Sequence, residues 1–236
     1  MEPVFNFQGS AMLSVMAFAG TVLLLFALAS VAGYLAARER IYAARRVLWT
    51  GAGVIGLYAI AMAGFSAAAS PRDVAAGGEK YFCELDCHLA YSVAGVERLA
   101  SVASGDAKGG VEVVKLRVRF DPETAGPRRG MRPLYPNPRR ARLIASDGRA
   151  YEPSAAALRA VAARGGNPAE LDDPLRPGES AVIPLAFELP EGARGERLLL
   201  TETSPETRFL IGHENSFFHP RTAFRLGTTN DRTAQR

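Results

Sequence analysis

No aspartate, glutamate, lysine, arginine or histidine occurs in residues 11–37 or in residues 47–70. A transporter, channel or proton relay places an ionisable group inside its membrane segments, so these spans are read as anchors rather than as a transport path. Residues 1–10 hold Glu2 and no lysine or arginine. The basic start of a cleaved signal peptide is missing, and the first span is expected to stay as a helix. The chain has no G-x-S-x-G, no H-E-x-x-H and no phosphate loop, and no enzyme is expected. A net charge of +4 invites a nucleic-acid reading, but the arginines are scattered rather than clustered, and no nucleic-acid partner is expected. Cysteine is nearly absent: the chain has two, Cys83 and Cys87.

What is present begins with length. Each charge-free stretch is long enough to cross a hydrocarbon core of about 30 Å at about 1.5 Å per residue. Residues 1–70 are therefore expected to form a transmembrane hairpin, with helices at about 11–37 and 47–70. Between them lie Arg38, Arg40, Arg45 and Arg46, which belong on the cytoplasmic side. That orientation puts the N-terminus and everything after residue 70 outside the cytoplasm, at the cytoplasmic (inner) membrane. Small residues (Gly20, Gly33, Gly51, Gly53, Gly56 and Gly64 among them) are expected to let the helices approach closely. Gly51-Ala52-Gly53-Val54-Ile55-Gly56 spells a dinucleotide fingerprint, but that motif needs a preceding strand, and here it lies inside a membrane span.

After a linker at residues 71–79 the period falls to two. Tyr81, Cys83, Leu85, Cys87, Leu89, Tyr91 and Val93 alternate with polar and small residues, which predicts one half-buried strand. Val114, Leu116, Val118 and Phe120 alternate with Lys115, Arg117 and Arg119 in the same way. Further strands are expected at 141–145, 181–189, 198–203, 208–211 and 222–226. They are separated by turns at Ser146-Asp147-Gly148 and Arg176-Pro177-Gly178. Ser154 is expected to cap a short helix over 154–163. Residues 126–138, rich in Pro, Gly and Arg, read as a loop, and 227–236 as a disordered tail. About eight short strands without intervening helices predict an all-β antiparallel sandwich over residues 80–226.

Asp147-Gly148-Arg149-Ala150-Tyr151, then Leu175-Arg176-Pro177-Gly178-Glu179-Ser180, then Phe187-Glu188-Leu189-Pro190 with Leu198-Leu199-Leu200, resemble the layout of bacterial exported immunoglobulin-like domains of unknown function. The resemblance covers about residues 80–226. It implies an immunoglobulin-like sandwich, often membrane-anchored, and implies nothing about the cysteines.

Cys83-Glu84-Leu85-Asp86-Cys87-His88 is the one chemical constellation, and three readings stay open. In a regular strand the two cysteines would stand about 13 Å apart, so a disulfide requires a bend between them. Two buried thiols packed as small hydrophobes is the second reading. The third is a copper or zinc site of Cys83, Cys87 and His88, with His213 folding back. The Cys-x3-Cys spacing is similar to that of copper-delivery and copper-A proteins of respiratory oxidases, in spacing alone. Late in the chain, Phe217, Phe218 and His219 form a candidate partner contact. The expected role is a membrane-anchored, non-enzymatic binding module for an envelope partner. The alternative is a metal-binding or thiol-redox module, accessory to a respiratory complex.

Overall fold

In the computed structural model the described residues are 4–83, 87–99, 109–125, 130–165 and 169–227. Residues 84–86 between the cysteines, 126–129 of the expected loop and the tail from 228 lie outside them. The chain divides into two compact units. One holds residues 1–6, 71–204 and 221–236; the other holds 7–70 and 205–220.

The first unit is built from β1 (Val4–Phe5), β2 (Asp73–Val74), β3 (Lys80–Phe82), β4 (Leu89–Leu99), β5 (Gly109–Phe120), β6 (Arg139–Ala145), β7 (Ala150–Tyr151), β8 (Ser180–Pro190), β9 (Gly195–Glu202) and β10 (Ala223–Arg225). They form two five-stranded sheets, ordered β1-β3-β4-β5-β8 and β2-β10-β9-β6-β7. One core joins the inner faces. It takes Leu89 and Tyr91 from β4, the Val114–Phe120 alternation of β5 and Ile183, Leu185 and Phe187 from β8. Leu143, Leu198, Leu200 and Phe224 come from the other sheet. The pattern is the period-two burial that a sheet with one dry face requires. In β4 the register shifts between Val93 and Gly95. The extra residue reverses the phase, so Val93 and Val96 both pack on the core. The helix Ala155–Gly165 covers the outer face, where Ala157 meets Val111, Val113 and Ala186. The Ser154 hydroxyl accepts the Ala157 amide at 3.2 Å, the expected cap.

Four expectations need correction. The stretch 81–93 is not one strand but a hairpin pairing Phe82 with Leu89. Residues facing each other across a hairpin share a side, so parity reverses there. Phe82 points inward with Leu89, while Tyr81 shares the outer side with Ala90. The stretch 208–211 is no strand: a 3-10 turn runs over Pro205–Phe209. Pairing is not wholly antiparallel, because β1 runs parallel to β3 and β2 parallel to β10. Parallel neighbours need a long crossover, and between β1 and β3 the two long helices supply it. Finally, the linker at 71–79 contains β2, and the sandwich takes in residues 4–6 from before the helices.

The second unit contains α1 (Ala11–Ala37) and α2 (Ile41–Ala68). Ser10 caps α1 by accepting the Leu13 amide at 3.3 Å. The reversal is a Schellman closure. Glu39 sits at φ 59°, its amide bonds Ala36 O at 2.9 Å, and the Arg40 amide bonds Leu35 O at 2.9 Å. α2 starts at Ile41, earlier than the apolar run, so Arg45 and Arg46 lie in its first turns. The helices touch through few of the small residues expected to do so. A Cβ on Gly51 would meet Leu25 and Leu28, but one on Gly20, Gly33, Gly53, Gly56 or Gly64 would meet nothing within 4 Å. Large apolar side chains on both helices stand exposed, among them Leu23, Phe26, Trp49, Leu57 and Ile60.

Candidate functional site

In the sandwich, the hairpin of β3 and β4 carries the cysteines. Pairing of Phe82 with Leu89 brings the chain back on itself, and Cys83 and Cys87 stand 4.0 Å apart at Cα, joined as a disulfide. The expected separation of about 13 Å assumed a continuous strand, and the pairing of β3 with β4 removes it. Asn6 holds the base of this loop. Its amide donates to Tyr81 O at 3.1 Å and its side-chain oxygen accepts the Cys83 amide at 2.8 Å.

Beside the disulfide lies a polar network that follows from register. Tyr81, Ala90 and Arg119 align across three strands on the outer face. Ala90 is small, so the Arg119 guanidinium reaches the Tyr81 hydroxyl over it, at 3.1 Å. Arg119 also grips Glu79 with Nε at 3.3 Å and Nη2 at 2.9 Å. The Tyr81 hydroxyl donates to Asp121 at 2.9 Å. Burial first, then the Asp121 hydrogen bond and the carboxylates of Glu79 and Asp121, push the Tyr81 phenol up to about 12. The hydrogen bonds to Glu79 hold Arg119 still more firmly charged. Burial works against the Asp121 charge, but the Tyr81 hydroxyl, the Glu123 amide and Arg119 together hold its carboxyl below the usual range.

The network ends on His88. The Thr124 hydroxyl donates to Asp121 O at 2.7 Å, so its one proton is committed. His88 Nδ1, 2.7 Å from the Thr124 oxygen, must then be the donor. The ring is buried and stacks on Phe120 at 5.1 Å. Chemically the cluster is an arginine bound by two carboxylates and a phenol. It fixes the shape of one sheet end next to a covalently closed loop.

Sequence reasoning missed a second polar group, inside the sandwich. Lys80 is fully buried on β3, donating Nζ to Leu200 O at 2.9 Å and to Thr222 O at 3.3 Å. Its ammonium lies 4.6 Å from the Phe82 ring centroid, and the Arg139 guanidinium lies 4.5 Å from the same centroid, both within cation–π range. Arg139 donates to the Tyr91 hydroxyl at 2.6 Å and stands 3.9 Å from Glu202. The signal was the inward side of β3, visible only once the parity reversal is known.

Of the candidate metal set, Cys83, Cys87 and His88 are neighbours in the chain, but the sulfurs are spent on each other and carry no thiolate charge in this state. His213 belongs to the helical unit, where its Nδ1 accepts the Asn215 amide at 3.0 Å. Among the described residues no three His, Cys, Asp or Glu side chains converge as a metal cage. Phe217, Phe218 and His219 also lie in the helical unit. Phe217 and Phe218 are exposed, and Phe218 takes a left-handed φ of 66°. The ring nitrogen Nδ1 of His219 donates to Pro220 O at 3.0 Å.

No protein-family model matches the chain, and no curated protein matches it. Among solved structures it is similar to a secreted protein of Mycobacterium tuberculosis, MPT63. The identity is 13%, the match covers 67% of this chain and 99% of that one, and the TM-score is 0.42. It is also similar to an uncharacterised β-sandwich protein of Clostridium difficile 630. There the identity is 8%, the coverage 67% and 96%, and the TM-score 0.35.

Proposed function

We propose that this chain is a membrane-anchored β-sandwich of immunoglobulin-like kind that works outside the cytoplasm as a non-enzymatic binding module. One observation carries the anchoring: α1, of 27 residues, and α2, of 28 residues, present apolar side chains all round, almost none of them covered by protein. Such a surface is stable in lipid and a liability in water. Arginines at the reversal set the orientation, with the sandwich outside. An oxidising compartment suits a disulfide, and the Cys83–Cys87 bond and the Arg119 network cross-link one sheet end. Cross-links of this kind lower the entropy that an edge loses on meeting an envelope partner.

Paired reporter fusions test the orientation. A periplasm-only reporter is expected to be active after Arg236 and silent when placed between Arg38 and Arg40; the reverse pattern overturns the reading. Photo-crosslinking from Arg117, exposed on the outer face of β5, is expected to capture one defined envelope protein; capture of nothing but this chain removes the partner. A second reading rests on the cysteine pair: on reduction, two thiols beside His88 could serve redox exchange or hold copper or zinc. Thiol titration with metal analysis of the reduced protein decides it. About one equivalent of metal, lost in Cys83→Ser, supports that reading, and no metal ends it.

A further inference from the structure

We infer that residues 205–220 form a lipid-binding foot: a segment docked on the outer ends of the two helices that seats Phe209, Phe217 and Phe218 in the outer leaflet of the bilayer. The inference rests on the membrane reading and extends it. A hydrocarbon core of about 30 Å needs about 20 helical residues. Counted outward from the reversal, with α2 starting at Ile41, that layer ends near Phe18 on α1 and near Ile60 on α2. Phe18 at that edge and Ser66, about 9 Å farther out, hold the segment. The ring of Phe18 stacks on Phe209 at 6.2 Å, and the Ser66 hydroxyl donates to Phe217 O at 3.0 Å.

The rest of the attachment straddles that edge. Ser14 donates to Ile211 O at 2.6 Å, and Tyr58, lower on α2, donates to Phe209 O at 2.6 Å. The Ser216 hydroxyl bonds Leu210 O. Near lipid, water is scarce and irregular backbone must find its partners within the protein. Four carbonyls in this segment are met by hydroxyls, three of them from the helices. Gly212, at φ 76°, accommodates the close approach, since a Cβ there would come within 2.5 Å of Gln8 O. Glycine alone adopts that backbone angle without steric cost.

The outward side is aromatic. Phe209 and Phe217 meet edge to face at 5.6 Å, both partly bare, and Phe218 is 90% exposed. A large apolar ring held in the left-handed region and turned to solvent is unfavourable twice over. Insertion into the leaflet relieves the exposure and continues the lipid-facing surface of the helices. Arg208 stands exposed beside Phe209, where a guanidinium suits lipid phosphate.

The test uses the full chain in phosphatidylcholine vesicles with bromine at shallow or deep acyl positions. Trp49 is the single tryptophan and lies exposed on α2, so in the wild type it reports on the hairpin alone. In a Trp49→Phe/Phe218→Trp variant the new indole is expected to lose about half its emission or more with shallow bromines, and less with deep ones. It should also be shielded from aqueous iodide. If Trp49 is quenched by bromolipid but the indole at 218 is quenched only by iodide, the foot is overturned and the anchor stands; the aromatics then face water or a protein. If neither indole feels bromolipid, the membrane reading falls and the foot with it. Phe217→Trp in the same background gives an independent second reporter should the first variant fail to fold.

Discussion

The two units of this chain bury opposite things. In the sandwich, Lys80 and Arg139 lie inside, wrapped around Phe82, and are given carbonyls, a phenol and a carboxylate. In the helical unit, leucines and phenylalanines lie outside, while hydroxyls and carbonyls turn inward to meet each other. The first is an interior that excludes water and must neutralise whatever charge it contains. The second, on the anchoring proposed above, is the arrangement of a body whose solvent is hydrocarbon. On that proposal one chain is built for two solvents, and the sign of each burial separates them.

The sharpest way to break that contrast is to remove a buried charge from the sandwich. Arg139→Ala takes away the cation that faces Glu202 and Tyr91 and is expected to destabilise by about 3–5 kcal/mol. Thermal unfolding of the full chain in detergent should fall by roughly 10 °C for the sandwich, leaving the helical signal intact. A fall of both signals together would mean that the two units do not differ in the way described.

Opening the cysteine loop comes next. Cys83→Ser with Cys87→Ser releases a very short closed loop and is expected to lower stability by about 2 kcal/mol, read by the same melt. Reductant should reproduce the loss in the wild type and add nothing to the double variant.

The polar network on the outer face predicts a pH signature. Tyr81 is raised from 10.0 to about 12. Its contribution is therefore whole below about pH 10 and lost as pH climbs from there through the folded value. Ultraviolet titration should show a phenolate forming near pH 12 that is absent in Tyr81→Phe. Asp121 runs the other way, because its carboxyl is held low. Its contribution is present above about pH 4 and fades as pH falls through its native value. Smallest of all is Lys115→Ala. The Lys115–Glu97 pair is about half exposed on both sides, and its loss should change stability by at most about 1 kcal/mol.

Local chemistry was legible where one residue decides it. The Ser146-Asp147-Gly148 turn forms as read, with Gly148 at φ 75°, and so does the turn at Gly178, at φ 85°. The Ser154 cap and the β5 alternation follow from single positions and a short period. What failed depended on partners distant in sequence. Cys83 and Cys87 were visible as a cluster, but the pairing of Phe82 with Leu89 was hidden by an apolar alternation that runs on through both. Two-residue strands such as β1 and β2 carry too little pattern to be seen, and they exist because β3 and β10 offer them edges. The Glu79–Arg119–Tyr81–Asp121 network joins residues about forty apart that meet only through register across Ala90. Nothing in the spacing of the sequence announces it.

The account depends most on which side of the bilayer the sandwich occupies. Limited proteolysis of intact spheroplasts expressing the full chain tests this directly, because the sandwich is rich in arginine and a trypsin target. Trypsin added outside is expected to remove the sandwich and leave a fragment containing both helices, whereas inverted vesicles should protect it. A sandwich that survives in spheroplasts and is cut in inverted vesicles would contradict the account.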